Sequence, residues 1–131
     1  YGSTKTGQLS KYYAGLCYVK LGKFQEGIDL LKDFNAGDQL VQAMAYGITG
    51  DAYMELKNTE EGIKYYKKAG QYSDNDFTGP TYLFRAGVAL ELAGKNDEAI
   101  AIYKQIREKY PQSNEGREMD KYLARLGVVR E

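Results

Sequence analysis

Asp74-Asn75-Asp76 spaces three oxygen-bearing side chains as the start of a calcium loop would. The glycine and distal glutamate that complete such a loop are out of register, so the segment reads as a solvated turn. Glu60-Glu61 offers paired carboxylates, but they open a helical stretch and favour its positive end, which accounts for them without catalysis. The one cysteine, Cys17, has no internal disulfide partner and falls in the apolar phase of its segment, where a small buried hydrophobe is expected. A lone thiol leaves the redox compartment open. Histidine is absent, which removes His general bases, Cys-His and Ser-His pairs and most zinc sites together. No nucleophile, base and orienter can be assembled, so the expectation is a noncatalytic protein with no metal and no cofactor.

The 131 residues suit one domain, which buries roughly two thirds of the surface of its unfolded chain. Eighteen basic residues balance 18 acidic ones without any block of like charge. Nucleic-acid binding rests on clustered phosphate-neutralising charge and is not expected. No apolar run approaches a membrane span, so this segment is not expected to insert into a bilayer. The sequence starts at Tyr1 without a methionine and is read as a fragment of a longer chain.

The elements that would position any site are helical throughout, because no stretch alternates with a period of two. Ser3 or Thr4 can cap a first helix carrying Leu9, Tyr12, Tyr13, Leu16 and Cys17 on one face. Gly22 ends it, and Phe24, Ile28, Leu31 and Phe34 line one side of a second helix. Asp38 can cap a third, Lys57-Asn58 turns into a fourth, and Pro80 fits the first turn of a fifth. Gly94-Lys95 leads to a sixth, closed by Pro111, and Ser113 caps a seventh bearing Met119, Tyr122, Leu123 and Leu126. These give hairpins at about 4–35, 38–70 and 80–110 and a capping helix at about 113–126.

The hairpins repeat. Gly15, Gly50 and Gly87 form one column and Gly27, Gly62 and Ala99 another, with spacings of 35 and 37 residues. Glycine inside a helix is unfavourable by about 1 kcal/mol relative to alanine, so small residues recurring on successive helices mark a crossing where backbones approach closely. Tyr18 and Tyr53 lie three residues after the first column, and Tyr66 and Tyr103 four after the second. At these residues the chain resembles the tetratricopeptide repeat (TPR) family. Leu90 and Leu31 depart from its aromatic positions, and its closing proline is present only as Pro111.

That resemblance implies a right-handed α-solenoid, three hairpins plus a cap, whose concave wall binds a peptide or protein partner. Carried over by position, the wall takes Leu9, Tyr12, Leu16 and Val19, then Met44, Asp51, Met54 and Glu55, then Thr81, Phe84, Arg85, Val88 and Glu91, with Lys121 and Arg125 from the last helix. Tyr12, Leu16 and Val19 are either groove or packing for an upstream segment; Asp51, Glu55 and Glu91 either attract a basic group or are solvated. The clamp by which some members grip chaperone C-termini is matched only at Arg85 among Tyr12, Leu16, Ile48, Thr81 and Arg85, so no such clamp is expected. Tyr110-Pro-Gln-Ser-Asn-Glu-Gly leads into the last helix much as Tyr1-Gly-Ser-Thr-Lys-Thr-Gly leads into the first. Degenerate repeats ending in DKYLARLG are similar to the domain that bacterial single-span membrane proteins display on the periplasmic side beside the secretion translocon. The resemblance implies an adaptor in envelope protein traffic or assembly, held at the periplasmic face by an N-terminal anchor. The alternatives are a cytoplasmic location and a structural self-association domain forming a homodimer.

Overall fold

The computed structural model describes residues 4–72 and 75–129 and contains, among them, seven α-helices and no strand. They are α1 (Lys5–Lys20), α2 (Phe24–Asp33), α3 (Gln39–Glu55), α4 (Thr59–Tyr72), α5 (Thr78–Leu92), α6 (Asn96–Lys109) and α7 (Asn114–Arg125). Thr4 caps α1 by accepting from the Gly7 N–H, and Ser113 caps α7 by accepting from the Gly116 N–H, each at 2.9 Å. The Asp38 carboxylate accepts from Leu40 and Val41 at the start of α3. Each cap satisfies donors that have no partner inside the helix. Pro80 sits in the first turn of α5, where no intrahelical acceptor is lost. Of the Asp74-Asn75-Asp76 turn, Asp74 lies outside the described residues, and Asn75 accepts from the Phe77 and Thr78 N–H groups at 2.8 Å.

α1, α3, α5 and α7 end alike. The N–H groups of Lys23, Asn58, Lys95 and Val128 reach back to the carbonyls of Tyr18, Tyr53, Leu90 and Leu123. The residue before each, Gly22, Lys57, Gly94 or Gly127, holds a left-handed φ of 64° to 87°. α7, the C-terminal helix that covers the third hairpin, shares this ending. Lys57 alone occupies the left-handed position with a side chain.

Inside the hairpins the backbones nearly touch. A Cβ on Gly15 would lie 3.2 Å from the Gly27 carbonyl oxygen, and one on Gly27 would lie 2.9 Å from that of Gly15. Gly50 and Gly62 face each other in the same way, at 3.2 and 3.4 Å. In the third hairpin the fully buried ring of Tyr103 fills the space beside Gly87, 2.4 Å from where a Cβ would stand, and Ala99 is fully buried.

Between hairpins, α1 touches α3, α3 touches α5 and α5 touches α7, whereas α2, α4 and α6 never touch one another among the described residues. Helices that stay in contact along a row are on the inside of a bend, so α1, α3, α5 and α7 form the inner wall. The largest apolar cluster joins α4 to α7 through Ile63, Leu83, Leu90, Tyr103, Ile106, Met119 and Leu123.

Two expectations for α1 need correction. Cys17 is exposed, as are Leu9 and Tyr13; of the expected apolar face only Tyr12 is buried. The cause is position in the array. Cys17 stands where α3 has Ala52, which packs with Ile28 of α2, and where α5 has Ala89, which packs in the cluster that holds Ile63 and Tyr66 of α4. No such hairpin precedes α1 among the described residues.

Gly87→Leu should destabilise the protein by about 3 kcal/mol, since the added side chain meets Tyr103 at a crossing that cannot open. Gly37→Ala, in open space, should leave the thermal midpoint unchanged. Equal midpoints for the two variants would contradict the crossing. Lys57→Gly should stabilise by about 0.5–1 kcal/mol in denaturant titration, because glycine takes the left-handed turn without steric cost.

Candidate peptide-binding groove

The inner wall has two unlike halves. Toward the N-terminus, Tyr12 is turned inward and only 8% exposed, its ring 5.3 Å from that of Phe34. Burial pushes its hydroxyl above the ordinary tyrosine range. Leu16 and Val19 are half-buried on the same cluster of Tyr12, Leu31, Phe34 and Ala45. These three residues are occupied within the first two hairpins, and α3 supplies part of that packing through Ala45 and Ile48.

Toward the C-terminus the wall is built around two carboxylates. Asp51 on α3 accepts from the Tyr66 hydroxyl of α4 and from Arg85 Nη1 of α5 at 2.9 and 3.1 Å. One hairpin later, Glu91 on α5 accepts from the Tyr103 hydroxyl of α6 and from Arg125 Nη2 of α7 at 2.9 and 3.0 Å. The acid-to-arginine separation is 34 residues in both. Each carboxylate thus ties the two helices of its own hairpin to the first helix of the next. The side chain of Glu91 is 17% exposed and that of Arg125 57%, so the carboxylate is the sheltered partner.

By the glycine register the positions corresponding to Asp51, Tyr66 and Arg85 are Leu16 and Leu31 of the first hairpin and Ile48 of α3, an apolar version of that joint, whereas Glu91, four residues after Gly87, makes its joint from a different position of the repeat. The carboxylates placed on the wall from sequence therefore have different states. Asp51 and Glu91 are neutralised within the chain, while Glu55 is exposed and makes no ion pair among the described residues.

The structure brings Met54, Phe84, Arg85 and Val88 together with Tyr66, Ala89 and Leu92 around an open depression of about 260 Å³. Met54 is held by the absence of a side chain at Gly62, its Sδ lying 2.5 Å from where that Cβ would be. Phe84 is fixed by rings of Tyr122 at 5.0 Å and Tyr103 at 6.1 Å. Leu92, at the rim, is 76% exposed. Sequence reading omitted Leu92 and the roles of Tyr66, Tyr103 and Arg125 as carboxylate partners. The signal for the latter was present as an acid followed by arginine 34 residues on, with a tyrosine 12 or 15 residues after the acid.

Burial, and then the hydrogen bond to the carboxylate, raises the hydroxyls of both Tyr66 and Tyr103 well above the ordinary value of 10.0. A tyrosine whose folded value is raised contributes stability that is complete below the unfolded value and is lost as pH climbs above it. Stability should therefore fall above about pH 10, and the Tyr66→Phe and Tyr103→Phe pair should fall less steeply over the same range. At pH 7 each phenylalanine variant should be about 1 kcal/mol less stable. Parallel alkaline melting curves for wild type and the double variant would remove the two hydroxyls from the joints.

Among the described residues no helix is long and apolar enough to cross a membrane, and no group of cysteine or acidic side chains is arranged to hold a metal ion. A search of curated proteins finds no match. Family models of the tetratricopeptide repeat match residues 12–76 and 81–113, which hold the glycine columns, the left-handed turns at Gly22, Lys57 and Gly94 and the Asp51 joint with Tyr66 and Arg85. The chain belongs to the tetratricopeptide repeat family.

Proposed function

We propose that this chain is a noncatalytic interaction scaffold that holds a peptide segment of a partner protein against α3, α5 and α7. Tetratricopeptide repeats mediate protein–protein interaction, and the observation supporting this particular wall is the open, largely apolar depression between Met54, Phe84, Val88 and Leu92. An apolar side chain of the peptide fills that depression. Glu55, the uncompensated carboxylate beside Met54, favours a basic residue next to it. Asp51 and Glu91 act as joints between hairpins, with Arg85 and Arg125, and contribute shape more than charge.

Resemblance of the repeats and of the DKYLARLG ending to periplasm-facing bacterial domains supports a wider role as an adaptor in envelope protein traffic or assembly, with a membrane anchor upstream. A cytoplasmic setting is the alternative for the same scaffold.

A random peptide display library panned on the wild-type chain should enrich sequences pairing a large apolar residue with Lys or Arg. By fluorescence polarisation, the enriched peptides should bind Val88→Arg/Leu92→Asp at least tenfold more weakly, with the variant's thermal midpoint within 2–3 °C of wild type, as expected for changes away from the core. Equal affinities would remove this depression from the binding site.

A further inference from the structure

The basic residues are spread along the sequence without a block, but the fold gathers three of them around one ring. Lys32 in the last turn of α2 and Lys64 and Lys68 on α4 place their ammonium nitrogens 5.9, 5.8 and 5.3 Å from the centroid of Tyr65. That ring is buried beside those of Tyr53 at 5.6 Å and Tyr46 at 6.2 Å. Lys68 also lies 4.9 Å from the Tyr46 centroid, and Lys32 donates to the Tyr53 hydroxyl at 3.2 Å. A tyrosine ring attracts a cation through its quadrupole without neutralising it. Lysine stems thus cover one aromatic cluster while their charges stand together in water.

Beside this cluster, Lys64 and Lys68 continue with Lys67 and Lys95 around an open groove of about 350 Å³ whose apolar lining is the buried Ile63 and Leu90. Glu61 approaches Lys64 at 3.8 Å and Glu98 approaches Lys67 at 3.7 Å, both at the long end of an ion pair. Lys32, Lys68 and Lys95 are exposed and make no ion pair among the described residues. This surface belongs to the middle of the outer row, with α2 on one side of α4 and α6 on the other. Hairpins stack only on their neighbours, so lengthening the array at either end would leave it uncovered.

We infer that this outer face of α4 binds an acidic peptide segment of a partner protein. Its carboxylates meet Lys32, Lys64 and Lys68 around Tyr65, and an apolar side chain enters the groove over Ile63 and Leu90. A bilayer surface or a phosphate backbone presents uniform negative charge, which the exposed Glu60 and Glu98 of the groove oppose. A peptide can place its apolar side chain there instead. The face calls for the charge opposite to that favoured by Glu55 on the inner wall, and the two surfaces stand or fall independently.

The probe is a fluorescein-labelled peptide of sequence Glu-Asp-Leu-Glu-Asp-Leu-Glu-Asp, followed by fluorescence polarisation. Wild type should bind it, about fivefold more weakly when salt is raised from about 50 to about 300 mM. Lys64→Glu/Lys68→Glu should weaken binding by about tenfold or more, and Lys64→Gln/Lys68→Gln by about threefold. Lys5→Glu/Lys20→Glu makes the same change in net charge at exposed positions of α1 and should alter the affinity by less than about twofold. If charge reversal on α4 lowers the thermal midpoint, the glutamine pair decides, and an unchanged affinity there overturns the inference. Absence of wild-type binding at about 50 mM salt, or equal losses in the α4 and α1 charge-reversal variants, would also overturn it. So would a salt-sensitive dimer that Lys64→Glu/Lys68→Glu dissolves, which would make a second copy the occupant. Co-sedimentation with phosphatidylserine vesicles by a chain that leaves the peptide unbound would make an anionic membrane the occupant instead.

Discussion

Everything in this structure follows from how closely two helices of a hairpin can approach. At Gly15 and Gly27, and again at Gly50 and Gly62, each backbone lies where the other's side chain would begin. Each glycine weakens its own helix by about 1 kcal/mol, and the close crossing returns more than that by letting flanking side chains interlock. Leu31, Val19, Tyr66 and Met54 all occupy volume that a Cβ at these positions would take. Once the crossing is fixed, the hairpin is a rigid unit, and only the angle between successive units remains to be set.

That angle is set by different chemistry at successive joints. Leu16, Leu31 and Ile48 make the first joint apolar, and the next two place a carboxylate between a tyrosine hydroxyl and a guanidinium. A carboxylate accepting from both neighbours is geometrically demanding in a way that an apolar contact is not. The half-exposed Asp51–Arg85 pair adds little stability by itself, but it fixes where α5 lies against α3. The inner wall between them is then a shaped surface, with Met54, Phe84 and Val88 at its floor.

The hairpin turns, the caps at Thr4, Asp38 and Ser113 and the glycine columns were legible in sequence because each is a local signal repeated at a nearly constant interval. What was illegible depends on neighbours in the array. Cys17 has the phase of a core residue, and Ala52 and Ala89 at the same place are core; among the described residues no hairpin packs on that side of α1. Tyr12 reads as a groove residue by register, yet Phe34 arrives from the far end of α2 to cover it. Asp51 and Glu91 read as ligand-facing charges because their arginines stand 34 residues away, beyond any local pattern.

A rigid hairpin, a fixed joint and an open apolar floor together describe a protein whose chemistry is recognition. The most direct measurement is methyl and amide NMR of the chain titrated with a peptide selected for binding. Perturbations should concentrate at Met54, Val88 and Leu92, with intermolecular contacts from the peptide's apolar side chain to these groups. Perturbations gathered instead on the outer helices α2, α4 and α6, with the inner wall silent, would contradict the account.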